Sequence, residues 1–199
     1  MDILNEKPLL VLGGGLMGLA IAHELAQRGK RVEVLSRSRL EAAGFVAAGM
    51  LAPHAEGLEG DLLNLGQISL QRHPTWIKSI EKNSKMSCGL KTCGIIVPFK
   101  SQTECESYPT YQFGKKLSRD ELLKEVPGLA QQWKLGLLFN QDGQIDNRRL
   151  LMRALEKACV ELGVHFQEGV EVIEIIKDSN EFRGVKIKDF NGNINYLES

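Results

Sequence analysis

The spacing of apolar positions changes character repeatedly in the first forty residues or so. Residues 9–12 (LLVL) are an unbroken apolar run, the mark of a short strand buried on both faces. From Leu19 the spacing turns helical, with Leu19, Ala22 and Leu25 or Ala26 recurring until Gly29. Val32, Val34 and Leu35 then make a second strand. The pattern predicts a strand–helix–strand unit of about thirty residues.

Further along, residues 61–83 read as a helix or helix pair. Its apolar face is Leu62, Leu63, Leu65, Ile68, Leu70, Trp76, Ile77 and Ile80, and Pro74 should break or kink it after His73. Residues 90–97 read as a strand closed by Pro98, and residues 101–114 as an exposed loop. Ser118 and Glu121 form a capping box that opens a short helix through Glu125, stopped by Pro127-Gly128. Residues 135–139 are a strand, and Asp142-Gly143 a tight hairpin turn. Asp146 caps an amphipathic helix whose buried stripe is Leu150, Leu151, Ala154, Leu155, Ala158 and Leu162, with Gly163 at its end. Residues 164–166 follow as a third parallel strand. Residues 172–176, 182–188 and 194–197 form an antiparallel meander, its last turn made by Asn191-Gly192.

These elements define an α/β chain: a Rossmann-like domain with a β-meander, plus part of a second α+β domain. The first domain is discontinuous, residues 1–85 and 140–199, with residues 86–139 opening the second. Composition is that of an ordinary globular protein, with 43% hydrophobic and 25% charged residues. The formal net charge of zero argues against nucleic acid or an anionic membrane as partner. No apolar run has the length of a membrane span, and the first ten residues lack the n- and h-regions of a signal peptide. Cys88, Cys93, Cys105 and Cys159 form no C-x-x-C pair, so reduced thiols and a cytoplasmic setting are expected. His54 and His73 lack a metal-ligand pattern and read as structural; no metal site is expected.

The candidate chemistry lies between the first strand and its helix, in Gly13-x-Gly15-x-x-Gly18. Gly13 allows the turn out of the strand, Gly15 lets a pyrophosphate approach the backbone, and Gly18 lets the helix lie close on the sheet. The helix start then presents free N–H groups to an anion. In its strand–helix–strand context this is the dinucleotide fingerprint. The acid that usually ends the second strand is Ser36 here, followed by Arg37, Ser38 and Arg39. Either Ser36 bonds an adenosine ribose more weakly, or Arg37 and Arg39 grip the 2′-phosphate of an NADP-type ligand, or the loop is simply a solvated basic one. Ala42, Ala43, Gly44, Ala47, Ala48, Gly49 and Met50 then form a run of small residues ending in G-M-L-x-x-H-A-E, a segment suited to lying against something large and flat.

The stretches GGGLMGLAIAHELAQRGKRV and AAGMLAPHAE resemble the FAD-dependent D-amino acid oxidase superfamily, and within it the glycine oxidases of the thiamine thiazole pathway. The likeness continues through KKLSRDELLKEVPGL and the segment 135–169, and is poorest over residues 84–110. It implies FAD as cofactor, a small amino acid, most of all glycine, as substrate, and oxygen as the second substrate. The products would be an imine and hydrogen peroxide, with the imine feeding thiazole synthesis. It also implies homo-oligomers of the full-length protein. On this resemblance Gly13, Gly15, Leu16, Met17 and Gly18 lie at the pyrophosphate, and Ser36 and Arg37 near the ribose. Ala43 and Gly44 follow along the cofactor, and Ala48, Gly49 and Met50 lie against the flavin ring. Met50 also borders the substrate, and the backbone of Val172 meets adenine. Phe45 stands where the family carries Ser or Thr. The chain reads as the N-terminal portion of a longer protein, the family's substrate-binding arginine and tyrosine being expected beyond residue 199. The alternatives are another FAD-dependent amine oxidoreductase of the superfamily, an NADP-binding enzyme, or a non-catalytic fragment.

Overall fold

The computed structural model describes residues 7–145, 148–179 and 181–198, with the side chains of residues 39 and 148 left aside. In chain order the elements are β1 (Leu9–Leu12), α1 (Leu16–Gln27), β2 (Val32–Ser36), β3 (Met50–Leu51), α2 (Gly60–Ser84), β4 (Leu90–Lys91) and β5 (Ile95–Phe99). There follow α3 (Gln102–Glu106), β6 (Lys115–Leu117), α4 (Arg119–Glu125), β7 (Leu135–Phe139), β8 (Gly143–Ile145) and α5 (Arg148–Glu161). The last four are β9 (His165–Glu168), β10 (Val170–Asp178), β11 (Glu181–Asp189) and β12 (Ile194–Glu198). Among the described residues no helix is long and apolar enough to cross a membrane. The chain folds as two compact units, Met1–Ala48 with Ser79–Cys88 and Asn147–Ser199, and Gly49–Lys78 with Gly89–Asp146.

The first unit holds the parallel sheet β1-β2-β9 and the antiparallel meander β10-β11-β12. Alternation along the parallel strands sends successive side chains to opposite faces. Val11, Val32 and Val34 pack with Ala22 and Ala26 of α1 and with Cys159 of α5. Leu10 and Leu35 point the other way, to Val185 and Ile187 of the meander. The parallel sheet thus lies between two helices and a second sheet. Ends of β1 depart from the expected full burial: Leu9 and Leu12 are exposed. β1 is the outer strand of this sheet, so its neighbours cover only part of it. His23 on α1 is fully buried, its ring nitrogens 3.0 Å from Gln27 Nε2 and 3.1 Å from Asn83 Nδ2. Burial holds its imidazole below the ordinary 6.5, against an opposing pull from Glu24. Asp146, expected to cap α5, lies outside the described residues.

The second unit has two antiparallel sheets, β3-β8-β4 and β5-β7-β6. Here the structure corrects several local expectations. The strand expected over 90–97 is two strands separated by residues 92–94. β5 runs on through Pro98, which pairs with Gly136. β5 is an outer strand, and an edge tolerates a residue that cannot donate to the ladder. The 101–114 segment is not a bare exposed loop. Ser101 caps α3 by accepting from the Glu104 amide, and Cys105, Tyr108 and Tyr111 pack on Phe99, Leu135 and Phe139. The capping box of Ser118 and Glu121 forms as expected. Asp142-Gly143 is not a hairpin turn between paired strands, because β7 and β8 join different sheets.

Helix α2 continues through Pro74 without a break. One lost ladder bond and a ring clash cost about 3 kcal/mol, and burial of Ile77 and Ile80 beyond the proline favours continuation. Its expected apolar face divides: Ile77 and Ile80 are buried, while Leu62, Leu65 and Ile68 are exposed. Residues 49–78 and 140–145, placed with the first domain on sequence pattern, fold with the second unit, and residues 86–88 with the first. Strand pairing accounts for part of this, since β3 and β4 both pair with β8.

Candidate functional site

The glycine loop is fixed at the end of β1. Gly13 sits at φ +113°, a conformation other residues rarely adopt, and its amide donates to the Leu35 carbonyl at 2.8 Å. The loop is thereby tied to the end of β2. Gly15 is the N-cap of α1 in extended conformation, and it offers no side chain to cap the helix. No acidic side chain occupies the first turn of α1 either. The first amides of a twelve-residue helix are therefore left for an anion.

The three glycines are glycine for different reasons. A Cβ on Gly18 would fall on the carbonyl of Gly13 and come within 3.4 Å of Val11, so Gly18 is demanded by the packing of α1 on β1. A Cβ on Gly15 would meet only Ala42 Cβ at 3.8 Å, an ordinary contact. Nothing inside the protein forbids a side chain at residue 15.

The loop forms one wall of a cleft of about 830 Å³ in the first unit. Gly13, Gly15, Leu16, Met17 and Gly18 line it, and so do Ser36, Arg37, Ala43, Gly44 and Val172. Gly44 also meets a packing need, since a Cβ there would press on Met152. Ala48, Gly49 and Met50 do not line this cleft. Gly49 sits at φ +86° in the second unit, where a Cβ would lie 2.6 Å from the Ile145 carbonyl. Met50, half exposed, opens β3 and borders a separate cavity of about 210 Å³ with Pro53, Glu56, Gly66 and His73.

At the far end of the cleft Ser36 is 8% exposed, and among the described residues its hydroxyl has no hydrogen-bond partner. A buried polar group left unpaired in a cleft wall is a group placed for a ligand. Sequence reasoning missed two carboxylates there, Glu41 and Glu171. Glu171 is brought in by strand register. Ser36 pairs with Glu168, the Gly169 amide donates to the Arg37 carbonyl at 3.2 Å, and the chain re-enters as β10 beside the cleft. Its Oε1 lies 3.9 Å from Arg37 Nη1. The one clue in the sequence was its place next to Val172.

The two histidines are held in structural networks. His54 is buried, with Nδ1 2.6 Å from Asp142 Oδ1 and Nε2 3.1 Å from Gln67 Nε2. Asp142 also accepts from the Ala55 amide at 2.7 Å, and Thr110 donates to the His54 carbonyl. His73 Nδ1 lies 2.8 Å from the Ser69 carbonyl on its own helix.

A glycine turn between parallel strand and helix, uncapped helix amides and a polar residue at the next strand end define a dinucleotide-binding α/β protein. The family model of the FAD-dependent oxidoreductases, the DAO family, matches residues 9–195. The chain belongs to this family, and its cofactor is FAD. It is 38% identical over 184 residues to the bifunctional protein ThiO/ThiG of Synechocystis sp., a match that covers 91% of this chain and 27% of that protein. It is 29% identical over 187 residues to glycine oxidase of Geobacillus kaustophilus, covering 88% of this chain and 49% of that one. The crystal structure of glycine oxidase from Geobacillus kaustophilus superposes with a TM-score of 0.81 at 27% identity, over 96% of this chain and 53% of that chain. That of Bacillus cereus glycine oxidase, at 22% identity, shares the fold with a TM-score of 0.80, over 98% of this chain and 55% of that chain. The chain thus spans from about a quarter to about half the length of these relatives.

The residues present fit FAD at the features open to test. The cleft offers unoccupied helix amides, a residue 15 without a side chain and a buried hydroxyl without a partner.

Proposed function

We propose that this chain forms the FAD-binding portion of an oxidase of small amino acids, glycine before others, whose imine product supplies thiazole synthesis in the thiamine pathway. The observation that carries the reading is the glycine-lined cleft with its free helix amides and the unpaired Ser36 hydroxyl. The choice of glycine and of thiamine rests on the relatives, a ThiO/ThiG protein and a glycine oxidase.

On this reading the amides at residues 15–18 bind the pyrophosphate, with Leu16 and Met17 over it. Ser36 and Arg37 attend the ribose, the Val172 backbone attends adenine, and Ala43 and Gly44 flank the cofactor further along. Ala48, Gly49 and Met50 carry the chain toward the flavin ring, and Met50 borders the substrate. When bound in this cleft, FAD would supply the redox chemistry, a two-electron oxidation of the amino acid to its imine with oxygen, reduced to hydrogen peroxide, as the final acceptor. The second unit belongs to the domain that takes the substrate.

Two measurements test this. FAD titrated into the purified protein should quench its own fluorescence to a stoichiometric end point. The complete protein should then form one hydrogen peroxide per glycine consumed. A protein that ignores FAD and binds a nicotinamide dinucleotide would refute the cofactor assignment, and flavin loading without turnover of glycine or its close analogues would refute the substrate.

A further inference from the structure

We infer that Arg37 and Glu171 form a charge pair that closes the ribose end of the cleft to 2′-phosphorylated adenosine ligands. The inference rests on the reading of this cleft as the FAD site. The last residue of β2 is Ser36, so the carboxylate that usually takes the ribose hydroxyls and repels a 2′-phosphate is missing from its ordinary place. The next residue is an arginine, the residue type that accommodates a 2′-phosphate. Left to itself, this arrangement would favour the phosphorylated ligand.

Strand register prevents that. β9 runs parallel to β2 as far as the Ser36–Glu168 pair. The turn at Gly169 is tied to Arg37 by its amide, and Glu171 emerges two residues later on the cleft wall. Its carboxylate lies 3.9 Å from the Arg37 guanidinium. Glu41 lines the same cleft. Among the described side chains that line it, Arg37 is the one cation, against the carboxylates of Glu171 and Glu41. A dianionic 2′-phosphate has to displace Glu171 from Arg37 and stand close to its carboxylate. A free ribose hydroxyl meets the uncharged Ser36 and neither cost. The discrimination normally provided by an acid on β2 is provided here from β10. Both side chains of the pair are more than half exposed, so the effect weakens with added salt.

The test uses adenosine 5′-monophosphate and adenosine 2′,5′-bisphosphate as competitors that displace FAD from the protein, read by recovery of flavin fluorescence at low ionic strength. The parent should favour the monophosphate. Glu171→Gln keeps the side-chain size and removes the charge. It should move the affinity ratio about tenfold toward the bisphosphate, equivalent to about 1.4 kcal/mol. Glu171→Ala should move it the same way, and adding Arg37→Gln to either should reverse the gain. A parent that already prefers the bisphosphate, or a ratio unchanged by both Glu171 variants, overturns the inference. A parent that binds neither FAD nor the monophosphate overturns the cofactor reading beneath it, a result distinct from an unchanged ratio.

Discussion

Substitution at Gly15 should separate ligand binding from folding, and substitution at Gly18 should not. Gly15 has φ −80° and ψ −176°, open to any residue. A methyl group there touches only Ala42 Cβ at 3.8 Å. Two small terms oppose each other in the ligand-free protein. Gly→Ala restricts the unfolded chain, which stabilises by about 0.4–1 kcal/mol. Alanine is a poorer N-cap than glycine, which costs roughly 0.5–1 kcal/mol. The net change for Gly15→Ala should lie within about 1 kcal/mol of zero, or about 2–4 °C in Tm for a chain of this size. Binding should suffer far more, because the methyl group stands where a pyrophosphate has to reach the helix amides. A loss of at least about tenfold in FAD affinity, about 1.4 kcal/mol, is expected. In Gly18→Ala the new Cβ falls on the Gly13 carbonyl, so α1 has to move off β1. Overpacking of this kind costs about 1–3 kcal/mol, and it should lower Tm and FAD affinity together. Ligand-free thermal melts and FAD fluorescence titrations on both variants decide the matter. A Gly15→Ala protein that binds FAD like the parent, or that unfolds as readily as Gly18→Ala, would refute the reasoning.

Three other tests address the framework. His23 is kept neutral by burial, so its folded pKa lies below the unfolded 6.5 and the unfolded chain binds the extra proton first. Stability should be full above about pH 6.5 and fall as pH drops toward the folded value, and urea midpoints of His23→Gln should lose that part of the slope. Asp142→Ala removes the acceptor of the His54 ring and the Ala55 amide; at about 1–3 kcal/mol per orphaned group, the denaturant-derived stability should fall by about 2–6 kcal/mol. Burial pushes the Cys88 thiol up to about 11, the Cys159 thiol up to about 12 and the Cys105 thiol upward, while Cys93 is exposed. Alkylation of the native protein should therefore show one fast thiol, and Cys93→Ser should abolish that phase.

Much of the glycine-lined cleft could be read before the fold was known, because its signals are local. Gly13, Gly15 and Gly18 act within one turn, and the strand, helix and second strand follow from spacing alone. The capping box at Ser118, the amphipathic stripe of α5 and the Asn191-Gly192 turn of the meander are equally local, and each sits where its pattern placed it. The sequence also assigned Gly15 and Gly18 different reasons, room for a ligand and close packing of the helix. The packing of Gly18 agrees: a Cβ there would fall on the Gly13 carbonyl, whereas one on Gly15 would meet only Ala42 at an ordinary distance.

What the chain order could not reveal depends on residues far apart in sequence. Asp142, read as a turn residue, lies buried against His54, eighty-eight positions away, because β7 and β8 enter different sheets. Pro98 stays within a strand because β5 lies at an edge, and edge position is decided by which strand pairs with which. Glu171 faces Arg37 only because β9 pairs with β2 and the chain turns at Gly169. Spacing sets which face of an element is apolar. The partner of that face, and so the charge and solvation of each group on it, is set by long-range pairing, which only the tertiary structure supplies.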